Sequence, residues 1–154
     1  MNPEDLEKAH CTFAPGLFNK TWEYLTKEDR TDVDNEEMIH IAHASRYHWS
    51  KIGKPVNLAR GEWLLSRVYA VAGRPDESLK WGKRCMQRCE TDDLSTFDHA
   101  AASEAIARAL AVGGKLEDAA QWRDKATEWS TKIQEEEDRK IFEEDLASLN
   151  ALLA

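Results

Sequence analysis

Residues Leu64–Cys85 read LLSRVYAVAGRPDESLKWGKRC, and 41 residues further on Ala105–Ala126 read AIARALAVGGKLEDAAQWRDKA. The two stretches align without a gap. Arg67 falls on Arg108, Ala70 on Ala111, Val71 on Val112, Gly73 on Gly114 and Trp81 on Trp122. Four of the substitutions keep charge: Arg74 lies over Lys115, Asp76 over Glu117, Glu77 over Asp118 and Arg84 over Lys125. A repeat of this length marks a helix-turn-helix unit that hides its apolar face only by stacking on a neighbour. The expected fold is all-α, a stack of antiparallel helical hairpins.

Local punctuation outside the repeat agrees. Pro15-Gly16 is expected to separate a short first segment from an amphipathic run carrying Leu17, Phe18, Trp22 and Leu25. Lys27–Asn35 reads as a loop in which Asp32 or Asp34 caps a helix running to about Ile52. Pro55 and Pro75 suit first helical turns, where a missing N–H has no intrahelical partner to lose. Gly73 and Gly113-Gly114 close helices, Ser95 is placed to cap Phe97–Val112, and Glu135–Asp138 opens a final helix. Shifted back by the repeat, that last helix overlies Phe97–Val112, so it reads as a half-repeat capping the stack. No period-2 run of β-branched residues and no Asn-Gly or Asp-Gly turn argues for a strand. About seven helices result, in one domain spanning residues 1–154, and short links make sequence neighbours antiparallel.

Tyr69, Gly73, Ser78 and Cys85 supply an aromatic, a turn glycine and two small residues, and Leu110, Gly114, Ala119 and Ala126 repeat the pattern. This arrangement resembles tetratricopeptide (TPR-like) repeats over about half the chain, and the resemblance implies a superhelix that binds proteins or peptides. The chain departs from that family in its period of 41, in lacking a closing Pro, and in placing its large aromatics at Trp81 and Trp122. The segment HASRYHW…NLARGEWLLSRVYAVAGR also resembles a bacterial family of helical proteins, a likeness that implies no activity.

Composition narrows the partners. A net charge of -8 with no Lys/Arg-rich run repels a phosphate backbone, which argues against nucleic acid and anionic membranes. No apolar run approaches the roughly 20 residues that span a bilayer, and the acidic start MNPEDLEKAH is not a signal peptide, so a cytoplasmic location is expected. Of the three Cys, Cys85 and Cys89 share a helix face and Cys11 is remote; all read as free thiols, the pair buried. No catalytic motif is present, neither G-x-S-x-G, P-loop, G-x-G-x-x-G nor H-E-x-x-H. The expectation leans away from an enzyme and names no cofactor.

Two groups of side chains carry the candidate chemistry. On the helix containing EEMIHIAHASRYHW, Met38, Ile41, Ala42, Ser45, Trp49 and Ile52 gather on one core face. Glu36, His40, His43 and Tyr47 form a stripe on the other side, with Arg46 at its edge. His40 and His43, one turn apart with a carboxylate one turn before, could ligate Zn, or a di-metal centre completed by other helices. The same stripe could line a ligand groove on the concave side of the stack. On the next helix Arg60, Trp63 and Arg67 share a face, and guanidinium stacked on indole is a carboxylate-binding platform. The plainer expectation is that these arginines pair with Glu36, Glu37 or Glu62. Trp81 and Trp122 are expected to staple one unit to the next. The resulting expectation is a module for a protein or peptide partner, with a second copy of the chain as one candidate through the Leu-rich C-terminal helix. The alternative is a small metal- or ligand-binding helical protein using His40, His43 and Tyr47.

Overall fold

Gly73 and Gly114 close the repeated turns in the left-handed region, at φ 73° and 80°, in the computed structural model of the chain, which describes Met1–Ala154. A side chain there would press against the following carbonyl, so glycine is the residue that fits. The residue after each glycine donates back across the helix end, Arg74 N to Tyr69 O and Lys115 N to Leu110 O, both at 2.9 Å.

The helices these turns join are α3 (Pro55–Val71), α4 (Pro75–Thr91), α5 (Thr96–Val112) and α6 (Leu116–Ser130). Both ends of α5 lie 41 residues beyond those of α3, and α6 begins 41 beyond α4. The final helix α7 (Glu136–Leu153) ends 41 residues beyond α5, as a half-repeat should. Before the repeat come α1 (Pro3–Leu25) and α2 (Asp32–Ile52). The chain is thus all-α, three hairpins and a terminal helix, and no strand is present.

Two local expectations are corrected. Pro15 does not end a short first segment: α1 runs through it for 23 residues. The lost N–H is outweighed because α2 packs against α1, in which His10, Ala14 and Thr21 are buried, and Ser45 Oγ donates to Ala14 O at 2.8 Å beside the proline. The cap of α2 is neither Asp32 nor Asp34 but Thr31, whose hydroxyl accepts from Asp34 N at 3.1 Å while Asp34 accepts from Thr31 N at 3.0 Å. That reciprocal box satisfies two end donors at once, which a lone Asp cap does not.

Each hairpin packs internally, α1 on α2, α3 on α4 and α5 on α6. The backbones of the odd helices also approach one another, α3 with α5, α5 with α7 and α1 sparsely with α3, whereas those of α2, α4 and α6 stay apart, α2 and α4 meeting through side chains such as His43 and Trp81. A layer whose members meet, backed by one whose members splay, is curved with the touching layer inside. Alanines make this approach possible: Ala100, Ala102, Ala105, Ala107 and Ala109 leave α5 buried nearly all round. Met38, Ala42, Leu64, Leu65 and Val68 form the core of the first units, and Cys85, Met86, Cys89, Ala102 and Ile106 that of the next. Trp81 packs on the first cluster and Trp122 on the second, so each joins its unit to the one before. Of the predicted core face of α2, Met38, Ala42 and Ser45 are fully buried, while Ile41, Trp49 and Ile52 are half-buried. No helix is long and apolar enough to cross a membrane.

Candidate functional site

The inner layer brings together residues that the sequence keeps far apart. Phe18 and Trp22 on α1, Arg60 and Trp63 on α3, Phe97 on α5 and Ile141 on α7 surround a groove of about 310 Å³. Its floor is Ala59, Ala101 and Phe142, with the Cys85 sulfur of α4 below. The groove exists because α1 and α3 meet only sparsely, so that α1 and α7 stand as walls on either side of α3 and α5. Trp22 and Trp63 stack across that gap with centroids 5.8 Å apart at 28°. Ile141 remains 54% exposed, an apolar side chain that nothing in the chain covers.

Charged groups bound the groove, and most are already paired. Arg60 Nε donates to Asp98 Oδ1 at 3.2 Å, with its guanidinium carbon 5.8 Å from the centre of the Phe97 ring. Asp98 is buried and also accepts from Ser95 Oγ at 2.6 Å. Arg67 lies with its guanidinium carbon 5.0 Å from the Trp63 ring centre and donates to Glu104 at 3.3 Å and Asp145 at 3.1 Å. Burial works against this cation, but Glu104 and Asp145 outweigh it and raise its pKa above the usual arginine value. Arg108 joins the same network through Glu104 at 2.8 Å and Ser148 Oγ at 2.6 Å, tying α3, α5 and α7 together. Glu144 is the exception, since it lines the groove and forms no ion pair.

The carboxylate platform expected of Arg60 and Arg67 is therefore corrected. Stacking on aromatic rings is present, but both guanidiniums hold the protein's own carboxylates. Those carboxylates are Asp98, Glu104 and Asp145, on α5 and α7, rather than Glu36, Glu37 or Glu62. Arg60 and Trp63 do reach the groove.

The α2 stripe is not one face of a site. Glu36 and His40 sit in solvent beside Asn35 and Arg74. His43 turns inward, its Nε2 2.8 Å from Tyr69 Oη and its ring edge-on to Tyr69 and Trp81 at 5.8 and 5.6 Å. Burial lowers the His43 pKa below the ordinary imidazole value, with His40 and Lys80 adding to the effect, and burial raises that of Tyr69. Tyr47 points the other way, 56% exposed, its ring 6.1 Å from His10 and 5.6 Å from His48 with the Lys51 ammonium 5.0 Å off. Arg46 lies against α3, 3.6 Å from Glu62. None of the stripe lines the inner groove, because α2 belongs to the outer layer. No third donor joins His40 and His43, and no group of three His, Cys, Asp or Glu able to hold a metal forms anywhere in the fold. The three ligands that a dedicated Zn site demands are not assembled.

Phe18, Trp22, Phe97, Ile141 and Glu144 were not singled out from sequence. Each reads there as an ordinary core or surface position of an amphipathic helix. The available signal was positional: apolar residues of successive odd helices beyond those needed to cover the even ones.

No family model, no curated protein and no solved structure matches this chain.

Proposed function

We propose that this chain is a TPR-like protein–protein interaction module that seats one partner segment in the inner groove. The carrying observation is the open apolar cavity of about 310 Å³ whose wall residue Ile141 is 54% exposed. Folding alone gives no reason to leave Trp22, Trp63, Phe97 and Ile141 around an unfilled space, since interiors otherwise pack to crystal-like density. The volume sits at the low end of ligand sites, about 300–1,000 Å³. It accommodates the anchor side chains of a peptide rather than a large cofactor.

The occupant is a short amphipathic peptide with one or two large aliphatic or aromatic anchors flanked by Lys or Arg. The anchors fill the groove, and the cation meets Glu144, the one groove carboxylate without a partner, on a chain of net charge -8. Burying a Leu- or Phe-sized anchor contributes about 1.5–3 kcal/mol, so two anchors give weak to moderate affinity after the cost of association.

A displayed peptide library selected on the full chain tests this reading, with Ile141→Glu as the counter-screen. Ile141 is exposed, so the variant keeps the core. Enriched peptides are expected to share an apolar anchor beside a basic residue and to bind the variant at least tenfold more weakly, in keeping with loss of a central interface residue. No enrichment, or peptides that bind both proteins equally, would overturn the proposal.

A further inference from the structure

On the other side of α3 from the peptide groove, a second pocket of about 320 Å³ opens between α2, α3 and α4, and no apolar residue lines it. Three arginines converge there, Arg46 from α2 and Arg84 and Arg88 from α4. In a chain of net charge -8 that concentration runs against composition. Two of the three guanidiniums, those of Arg46 and Arg84, make no hydrogen bond to the protein, although Arg46 stays within ion-pair distance of Glu62.

Glu62, buried on α3, is occupied by Arg88, whose Nε donates at 2.6 Å and Nη2 at 3.3 Å. Arg46 reaches the same carboxylate only at 3.6 Å, too far for a hydrogen bond, and makes none elsewhere. Its Nε is buried without any partner. A buried donor left unpaired is rare in folded proteins and calls for a reason. Packing holds the side chain in place: Gly61 lets the Arg46 stem lie flat on α3, and a Cβ at that glycine would come within 2.9 Å of Arg46 Cδ. Arg84 has no carboxylate partner; its guanidinium carbon stands 4.8 Å from the Trp81 ring centre and the side chain is exposed.

Register puts these groups at one level. Cys85 Sγ donates to Ala59 O at 3.3 Å, so residues 59–62 of α3 lie beside the turn of α4 that carries Arg84. Two carboxylates also border the pocket and oppose an anion, Glu62, which is held by Arg88, and Asp92 at the C-terminal end of α4. Asp92 lies eight residues from Arg84, about 12 Å along the helix axis, so the attractive end is that of Arg46 and Arg84.

We propose that this pocket binds phosphate or a small phosphate monoester, held by Arg46 and Arg84 with Gln87 and the free face of Arg88. A phosphate monoester brings close to two negative charges and three acceptor oxygens. That matches the exposed Arg84 fork, the terminal N–H groups of Arg46 and the Gln87 amide. A carboxylate, with one charge and two oxygens, duplicates what Glu62 already gives Arg88. The volume exceeds ten times the share of one water, about 30 Å³, which leaves room for the organic group of a monoester. The site shares no residue with the peptide groove, so it stands or falls independently of the proposed partner.

Calorimetric titration of the full chain with inorganic phosphate, glycerol phosphate and acetate tests it at low salt. Phosphate is expected to bind with one site per chain, and acetate much more weakly. Arg84→Gln removes an exposed fork without touching the core and should weaken phosphate binding about tenfold or more. Arg74→Gln deletes an exposed arginine that pairs with Glu77 outside the pocket and should leave binding unchanged. Should Arg84→Gln lower the melting temperature, Arg84→Lys, which keeps the charge but loses the fork, serves in its place. Tighter binding of glycerol phosphate assigns a monoester, and binding of inorganic phosphate alone assigns the free ion. Absence of binding at millimolar phosphate, equal binding of acetate, or equal losses in Arg84→Gln and Arg74→Gln would overturn the proposal.

Discussion

Glu104→Ala is the substitution with the largest consequence the fold allows us to work out. Glu104 is 1% exposed at the centre of α5 and accepts from Arg67 at 3.3 Å and Arg108 at 2.8 Å. Removing its carboxylate leaves two buried cations facing one remaining carboxylate, Asp145, which keeps Arg67 at 3.1 Å. Breaking a buried ion pair on one side costs about 3–5 kcal/mol. Arg108 retains the Asp145 carbonyl at 3.1 Å and Ser148 Oγ at 2.6 Å, which places the loss at the low end, about 3 kcal/mol. For a chain of this size each kcal/mol lowers the melting temperature by roughly 2–4 °C, so a fall of roughly 6–12 °C is expected. Circular-dichroism melts at constant pH and salt measure it. Hydrogen exchange gives a second readout: since Asp145 and Ser148 belong to α7, amides of that helix should lose protection before those of α3. The triple replacement Arg67→Met, Glu104→Met, Arg108→Met should recover much of the loss, because a well-packed apolar substitute for a buried ionic cluster is often neutral. A Glu104→Ala melt within about 2 °C of the parent, or α7 protection unchanged, would refute the claim that this network fastens the capping helix.

Other outcomes follow from single sites. His43 and His48 both have lowered pKa values, burial being the leading cause in each, so the unfolded chain binds more protons than the folded one below pH about 6.5. Stability from these groups is therefore full above that pH and is lost as the medium is acidified from about 6.5 down to the native values, below which the loss levels off; urea midpoints at pH 7.5 and 5.0 should differ more in the parent than in His43→Gln, His48→Gln. Gly73→Ala forces an L side chain to φ 73° and should cost about 1–2 kcal/mol. Gly16→Ala, in α1 with nothing within 4 Å of the added methyl, should instead stabilise by about 0.5–1 kcal/mol, the two melting shifts having opposite signs. Among thiols, Cys11 is exposed, whereas Cys85 and Cys89 are buried and the Cys85 thiol is pushed well up by the neighbouring Cys89 thiol and by burial. A thiol reagent should label one cysteine in the native chain and three only in denaturant.

The sequence by itself determined the helices, because the forces that set them act within a few residues. Gly73 and Gly114 at left-handed turns, Pro55 and Pro75 in first turns and the Ser95 cap all lie where local hydrogen bonding demands them. The 41-residue offset carried that reading from one hairpin to the next and to α7, since equivalent apolar faces must stack alike. Where a distant surface competed with a local signal, local reading failed: Pro15 lies within α1 because α2 covers it. The site was decided by tertiary structure alone. Arg67 and Asp145 are 78 residues apart, and the groove takes side chains from α1, α3, α5 and α7. Periodicity tells which face of a helix is buried, but not which carboxylate meets which guanidinium, nor where two helices stop short of touching. For that reason an arginine face legible at Arg60 and Arg67 became a set of internal ion pairs, while the open space formed beside it, under Ile141 and Trp22.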